Sequence, residues 1–600
     1  VYGSHGHFRI ETEEFWQAAE KHIAGLIECD RNHPSVVLWS ISNEMAWSDP
    51  LGICFERLGE IASHVRGLDD SRPMMAHGDG DLAGRLTITN WHYVEEYPPS
   101  YLPNDAFWPE RLAEFGSRPD TGEGFRKRPI VFGEFSSLWH GLMDILAGYA
   151  GEDVYAGFCS GPNSPRLRYH GELLEQYVGA YRWCRIGGIG PWTLFETGET
   201  PNAYSRSHRE AFEPLKLFVR ERSSKFFEGT FVERHVGIFN DTLQAQNLSV
   251  EFALSDREKK IWFSSMKIDL PPAQAAYWNL DVPLPEVERP RHLTAEFRLL
   301  AGDQVVDREI STWSVFPEDF VSDFDSPVPS AAVYESDETV QKILAEMGVE
   351  TSRIEDLSNA NDLRTSTLVI APHTITVPTG PWQESVAEFT HRGGMVLALQ
   401  QHVPALWAPE KVLLSTESLH KPIPPHSDDR IDSRNHIRAP HHSLFPFIRS
   451  EQLRYWNDDH IVSRHGFWKP SGGYRTLVDI GRRLDQATLL EMPYGRGCIR
   501  LCQMDLIRKF DTEPMARLLL YRLLRRSDDI PARAGVVIGA TDRLTRFLRH
   551  QGLKTVREIR HVRSDTVDDL DVLLIDLHSQ PTVSSRSLQS FLHKGGTAFV

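Results

Sequence analysis

Short apolar runs alternate with segments of helical spacing from position 35 to position 192, and this rhythm constrains the fold more than any other feature. Each run ends in polar or glycine-rich residues, as strands do in parallel βα units. The runs are apolar on both faces, which is typical of parallel strands covered by helices. They read SVVLWSIS, RPMMAHG, RLTITNWHY, RPIVFGE and GGIGPWTLF.

Two glutamates, Glu44 and Glu134, each close one of these runs, ninety positions and three strand-to-strand steps apart. The average step of about thirty residues agrees with a (β/α)8 barrel, which needs ~31 residues per unit. An open doubly wound sheet has the same pattern, so the period alone does not choose between them. In a barrel, both side chains would lie at the carboxyl face, where active sites of this fold are found.

A pair of carboxyl groups at one barrel mouth can cleave a glycosidic bond. One protonated acid serves the leaving oxygen and one carboxylate attacks the anomeric carbon, and a separation of ~5 Å permits the covalent route. Most of the 83 acidic residues are expected to be solvated surface charges. A carboxylate at the end of a buried strand has an unfavourable desolvation free energy, which suggests that it has a catalytic function. The pair is therefore a candidate catalytic pair.

The segments around this pair resemble glycoside hydrolase family 2, which contains β-galactosidases, β-glucuronidases and β-mannosidases. NHPSVVLWSISNE resembles the acid/base segment on the fourth barrel strand, and RPIVFGEF resembles the nucleophile segment on the seventh. The resemblance implies that Glu44 is the acid/base, that Asn43 contacts the sugar 2-hydroxyl, and that Glu134 is the nucleophile. The implied activity is a retaining β-glycosidase, β-galactosidase-like in the first place, that acts on carbohydrate and needs no cofactor.

The same resemblance implies further substrate-binding residues. Trp192 would form an aromatic floor on the eighth strand, and His92 or Tyr93 would lie beside the nucleophile on the sixth. His5, and with it His7, would lie in the loop after strand three. Aromatic residues in strands are also typical of a core, so this set is less specific than the glutamate pair.

Counted against the family, residues 1–228 supply barrel strands four to eight, and strands one to three are missing. The sequence predicts a chain truncated at both ends, and a fragment that is inactive or poorly folded when expressed alone. Any signal peptide would lie upstream, so the compartment is undetermined.

Over residues 229–320 apolar residues recur at every second position, which predicts an immunoglobulin-like β-sandwich. Strand-helix alternation then resumes over 330–527, and its pattern returns over 534–600 with glycines at similar spacing. These two α/β modules resemble flavodoxin-like, class I glutamine amidotransferase-like domains. That activity needs a cysteine nucleophile on a strand-to-helix turn, where this chain has Gln400 and Gln401. We expect noncatalytic modules that serve packing or homo-oligomerisation.

Charge and composition exclude several classes of partner. A net charge of -18 disfavours binding to nucleic acid. The sequence contains no run of eighteen apolar residues, so it predicts no membrane-spanning helix. The six scattered cysteines are predicted to be buried apolar residues or free thiols. A histidine-rich stretch has irregular spacing and intervening prolines, so a solvated loop is favoured over a metal site. Its histidines are His420, His426, His436, His441 and His442.

Two other functions stay open at this point. A noncatalytic carbohydrate-binding or assembly protein could use a degenerate barrel, although the intact pair of glutamates argues against it. An amidotransferase-related enzyme would require a reactive cysteine at a turn.

Overall fold

The computed structural model describes ten main stretches of the chain and shorter pieces towards its end. The main stretches are residues 9–45, 49, 52–92, 127–135, 143–156, 162–192, 201–321, 330–415, 434–481 and 483–525, and the shorter pieces lie between 534 and 599. The chain divides into two compact units. The first comprises Val1–Arg222, Phe231–Pro283 and Leu293–Thr312, and the second comprises Ser223–Thr230, Leu284–His292 and Trp313–Val600.

Among the described residues, the amino-terminal part of the first unit contains five short parallel strands and six helices. The strands are β1 (Trp39–Asn43), β2 (Met74–His77), β3 (Thr89–His92), β4 (Ile130–Phe135) and β5 (Gly188–Pro191). The helices are α1 (Glu13–Asp30), α2 (Ile53–Leu68), α3 (Met143–Ala150), α4 (Asp153–Ala156), α5 (Pro165–Trp183) and α6 (Ala203–Ala211). β1 pairs with β2, and β3, β4 and β5 form a second sheet, all in parallel. Each predicted apolar run therefore contains one strand.

Helix α1 shows how the sequence builds this layer. Its buried residues Trp16, Ala19, Ile23 and Ile27 recur at three- and four-residue intervals, so they form one face of the helix. They join a core that includes residues of α2, β1 and β2. The helices thus cover the parallel strands, as the alternation predicts.

The segment after α5 corrects one prediction. The helical spacing of YSRSHREAFEPLKLFVRER predicts one helix, but α6 ends at Ala211 and the chain continues as strand β6 (Leu215–Val219). Pro214 cannot continue a helix, and β6 pairs antiparallel with a later strand. Tertiary pairing overrides the helical spacing, and sandwich strands begin before residue 229.

Eight strands form two further sheets. They are β6, β7 (Lys225–Phe227), β8 (Phe231–Asn240), β9 (Gln246–Asp256), β10 (Lys259–Leu270), β11 (Gln274–Pro283), β12 (Arg291–Ala301) and β13 (Gln304–Phe316). The strand orders are β10-β9-β12-β13-β7 and β11-β8-β6. On β9, Leu248, Val250, Phe252 and Leu254 are buried and alternate with more exposed residues. The predicted period of two is confirmed, while the immunoglobulin-like type stays a prediction.

A mixed ten-stranded sheet dominates the second unit. Its strands are β14 (Ala331–Tyr334), β15 (Thr351–Arg353), β16 (Thr367–Ile370), β17 (Met395–Ala398), β18 (Leu414–Ser415), β19 (His436–Ile437), β20 (Gly466–Trp468), β21 (Arg475–Ile480), β22 (Gln486–Tyr494) and β23 (Gly497–Cys502). Its helices are α7 (Thr339–Glu346), α8 (Gln383–His391) and α9 (Pro514–Leu523), with 3-10 turns at Leu357–Asp362 and Ser450–Leu453. β15-β14-β16-β17-β23 run parallel, and β22 pairs antiparallel with β23.

A smaller parallel sheet follows. It contains β24 (Ala534–Val537), β25 (Val556–Ile559), β27 (Val572–Ile575) and β29 (Thr597–Phe599), and β26 (His561–Val562) pairs with β28 (Thr582–Val583) beside helix α10 (Ser585–His593). The order β25-β24-β27-β29 repeats the order β15-β14-β16-β17 of the larger sheet. The internal repeat seen in the sequence thus extends to strand order.

The turn after β17 holds a structural amide in place of a nucleophile. Gln401 is buried, and its side-chain nitrogen donates to the carbonyls of Ala371 (2.8 Å) and Leu399 (2.6 Å). Its side-chain oxygen accepts from the Ile375 backbone at 3.0 Å. These bonds satisfy the polar groups of the amide, which is consistent with a packing role for this turn.

The histidine-rich stretch is only partly a loop. His420 and His426 lie outside the described residues, and His441 is exposed. His436 and His442 are buried, so the predicted solvated loop is wrong for these two. His442 Nε2 lies 3.1 Å from Glu491 Oε1, and Arg500 Nε donates to Glu491 Oε2 at 2.8 Å. A buried carboxylate needs such partners, and His442 is one of them.

Acid is expected to destabilise the second unit through Glu491. Burial acts to raise the pKa of this carboxyl, but the hydrogen bond to His442 and the Arg500 charge outweigh burial and lower the pKa from 4.5 to about 2. Because the folded pKa is depressed, this stabilisation is present above about pH 4.5 and is lost as the pH falls towards 2. Thermal unfolding of wild type and Glu491→Gln across this window should show the steeper loss in wild type. Parallel profiles would contradict the assignment.

Two smaller predictions concern composition. Cys29, Cys54, Cys184, Cys498 and Cys502 are free thiols, as predicted, and Cys159 lies outside the described residues. Cys29 is exposed, so not every cysteine is a buried one. None of the helices in the described part of the chain combines the length and apolar character needed to cross a lipid bilayer.

Candidate active site

Four consecutive strands deliver polar side chains to one place at their carboxyl ends. β1 ends at Asn43 and is followed by Glu44, β2 ends at His77, β3 ends at His92, and Glu134 lies near the end of β4. The strand register places Asn43 opposite His77, and His92 opposite Glu134. Both pairings follow a register irregularity, so the strands deviate from regular pairing just where the polar residues begin.

His92 lies between the two glutamates. Its Nδ1 is 2.7 Å from Glu44 Oε1 and 3.6 Å from Glu134 Oε2. The His92 side chain is fully buried, and those of Glu44 and Glu134 are 10% and 12% exposed. The two carboxylate oxygens share this nitrogen, so they can be at most about 6.3 Å apart, the sum of the two distances. The structure thus brings together Glu44, Glu134 and His92, as the sequence predicts.

His77 is a member of the cluster that the sequence analysis missed. Its Nδ1 lies 2.7 Å from Asn43 Oδ1 and 3.7 Å from Glu134 Oε1, and its ring meets the His92 ring edge-on, with centroids 4.3 Å apart. Burial and then the charge of His92 lower the pKa of His77 to about 4, against opposing effects of Glu44 and a hydrogen bond to the Gly133 backbone. His77 is therefore neutral at pH 7. His77 ends strand β2 and is followed by the last residue of the run RPMMAHG, so its place at the end of an apolar run is the signal that could have identified it.

The backbone around Glu44 is held in an uncommon conformation. Glu44 has φ of 53°, in the left-handed region that non-glycine residues seldom adopt. Its amide donates to the His77 carbonyl at 2.8 Å. The buried carboxylate of Asp79 accepts from Ser42 Oγ at 3.0 Å and from the Met45 amide at 3.1 Å. These bonds on both sides of Glu44 stabilise the turn that carries its side chain.

Two glycines allow the close approach of the histidines. A β-carbon at Gly133 would lie 2.4 Å from His77 Nε2, and one at Gly78 would lie 2.9 Å from His92 Nδ1. Gly78 also has φ of 83°, and its amide donates to Asn90 Oδ1 at 2.8 Å. Any larger residue at either position would displace a ring of the cluster.

Of the other predicted substrate-binding residues, only Trp192 is among the described residues. Trp192 directly follows β5, is partly exposed, and donates its backbone amide to the Phe135 carbonyl at 2.9 Å. Its role as an aromatic floor stays a prediction. Tyr93, His5 and His7 lie outside the described residues.

Comparison with known proteins bears on the same part of the chain. Residues 5–141 match the family model described as glycosyl hydrolases family 2, TIM barrel domain. Over 233 residues the chain is 25% identical to a curated β-glucuronidase from Felis catus, a match that covers 36% of this chain and 31% of the relative. The chain therefore spans about a third of the length of that relative. The family-model match supports the predicted barrel, and it includes both glutamates.

Solved structures give a weaker likeness. A β-D-mannosidase from Dictyoglomus thermophilum has a TM-score of 0.36 at 15% identity, covering 52% of this chain and 42% of that chain. An FMN-binding β-glucuronidase from Facaelibacterium prausnitzii L2-6 has a TM-score of 0.24 at 13% identity, covering 51% and 45%. These scores are too low to support an inference. The amidotransferase-like character of the carboxyl-terminal modules stays a prediction.

Proposed function

We propose that this chain carries the carboxyl-terminal strands of the catalytic barrel of a retaining β-glycosidase. The observation that carries the proposal is the convergence of Glu44 and Glu134 on one nitrogen of His92. Glu44 Oε1 and Glu134 Oε2 are at most about 6.3 Å apart, below the ~6.5–9.5 Å separation of carboxyl groups in inverting enzymes, which leaves room for a water molecule. The family-2 barrel match over residues 5–141 supports the same reaction class.

The proposed reaction has two steps. Glu134 attacks the anomeric carbon while Glu44 gives its proton to the departing glycosidic oxygen, which leaves a glycosyl ester on Glu134. Glu44, now ionised, takes a proton from water, and that water attacks the anomeric carbon and releases Glu134. Two inversions give net retention. Both carboxyl groups end in the protonation states in which they began.

The two histidines suit this exchange of roles. The 2.7 Å hydrogen bond between His92 Nδ1 and Glu44 Oε1 fixes the orientation of the Glu44 carboxyl. His77 is neutral at pH 7 because its pKa is about 4, so it places no full positive charge beside Glu134.

The identity of the sugar is the finer part of the proposal. The family resemblance favours β-galactosides and allows β-mannosides, whereas the curated relative is named as a β-glucuronidase. Asn43 contacts His77 beside Glu134, and we propose that its amide also contacts the sugar 2-hydroxyl. Trp192, Tyr93 and His5 are the other proposed substrate contacts.

A panel of aryl β-D-galactosides, β-D-glucuronides and β-D-mannosides tests this function on the intact protein. We expect hydrolysis of one of the three, with the β-anomer of the sugar formed first in proton NMR of the fresh product. First appearance of the α-anomer would contradict the double-displacement mechanism. Saturable sugar binding without any hydrolysis would favour the noncatalytic carbohydrate-binding alternative.

A further inference from the structure

Three side chains at the candidate active site have the chemistry and spacing of a metal-binding set. One ligand atom each from His77, His92 and Glu134 lies within 4.8 Å of the other two. Glu134 oxygens lie 3.7 Å from His77 Nδ1 and 3.6 Å from His92 Nδ1. In a tetrahedral zinc site, bonds of ~2.0–2.1 Å place neighbouring ligand atoms roughly 3.3 Å apart. A shift of a few tenths of an ångström would bring Glu134 Oε1 to that distance from His77 and Glu134 Oε2 to that distance from His92. Ligand atoms that lie up to 4.8 Å apart would have to approach each other by up to roughly 1.5 Å.

The type of ligand narrows the choice of ion. Two imidazoles and one carboxylate suit Zn²⁺, whereas Mg²⁺ and Ca²⁺ prefer sites made of oxygen ligands. Three protein ligands would leave the fourth position of a tetrahedral ion to water. The three residues come from β2, β3 and β4, so the ligands are carried by strands of the core.

His77 has the surroundings of a zinc ligand. Its ring makes a hydrogen bond with the Gly133 backbone, and metal-bound histidines usually donate their second nitrogen to such a partner. The ion would replace the contacts of Asn43 with His77 and of Glu44 with His92.

We propose that His77, His92 and Glu134 bind one Zn²⁺ ion, and that the ion and a glycoside substrate exclude each other. A zinc-bound Glu134 carboxylate cannot attack an anomeric carbon, so bound zinc would hold the enzyme inactive until it is removed. The inhibitory consequence rests on the proposed glycosidase function. The binding itself does not.

Zinc binding is tested on the intact protein by competition with a chromophoric zinc indicator, without any substrate. Wild type should bind one Zn²⁺, and His77→Ala and the isosteric Glu134→Gln should each weaken binding at least ~10-fold. His402→Ala is the matched control, because His402 is an exposed histidine stacked on His373 in the other unit. Cobalt in place of zinc should give no thiolate absorption band, which separates this site from the free cysteines.

Equal zinc affinity in wild type, His77→Ala and Glu134→Gln would overturn the proposal, and so would the absence of binding to wild type. Circular dichroism of each variant identifies a loss of binding that comes from misfolding. In a turnover assay, zinc should inhibit competitively and a chelator should restore activity. Binding that depends on His77 in a protein that hydrolyses no glycoside would keep the metal site and reject the enzyme function.

Discussion

Glu134→Ala is expected to lower turnover of the preferred aryl β-glycoside at least ~10³-fold, because the variant has no group to form the covalent intermediate. Removal of the carboxylate also leaves a cavity beside His77 and His92, which contact it at 3.7 and 3.6 Å. Azide is small enough to enter that cavity and attack the anomeric carbon directly. We therefore expect azide to restore turnover in the variant and to give the α-glycosyl azide, the product of one inversion.

The matched control for this experiment is Glu14→Ala, which removes an exposed carboxylate on α1 and should keep wild-type turnover. Turnover of Glu134→Ala within a few-fold of wild type would reject Glu134 as nucleophile. Rescue that yields a β-glycosyl azide would show that another group forms the covalent intermediate.

Glu44→Ala is expected to lower turnover by about 10²–10⁴-fold for substrates with poor leaving groups, which is the usual contribution of general acid catalysis. A dinitrophenyl glycoside needs little protonation of its leaving oxygen, so its first step should be almost unaffected. The second step lacks a base in this variant, so the glycosyl-enzyme should accumulate. A burst of dinitrophenolate followed by slow turnover is the result to measure by stopped-flow absorbance.

The comparison of leaving groups provides the internal control for Glu44. A uniform loss across phenyl and dinitrophenyl substrates would indicate a positioning role and not proton transfer. Azide should accelerate the slow phase and give a β-glycosyl azide, the opposite anomer from the Glu134 variant. The same anomer from both variants would contradict the division of roles between the two glutamates.

The positions of the strand ends were predictable from the sequence because they depend on neighbouring residues in the chain. Apolar runs that end in Glu44, His92 and Glu134 mark where parallel strands emerge, and parallel strands emerge at one face. His77 ends β2 in the same way. Its contacts with Asn43 and Glu134 depend on strand register, which the sequence pattern does not give.

Other features could not be predicted because long-range partners decide them. Residues 215–219 have helical spacing, yet they form β6 because β8 offers a pairing edge. His442 looked like part of a polar loop, yet it is buried as a partner of Glu491, 49 positions away. A sequence pattern does not reveal pairs of residues that are far apart in the chain. In contrast, the repeat of the α/β module was predictable because its pattern recurs within the chain itself, and the strand order of the two sheets agrees with that repeat.

In the proposed mechanism Glu134 forms the covalent bond to the sugar. A 2-deoxy-2-fluoro aryl β-glycoside of the preferred sugar tests it directly, because fluorine slows both steps while a good leaving group lets the first proceed. After reaction with the intact protein and digestion, mass spectrometry should locate one fluoroglycosyl group on Glu134. A fluoroglycosyl group on any other residue, or hydrolysis of the parent glycoside with no trapped adduct, would contradict the account.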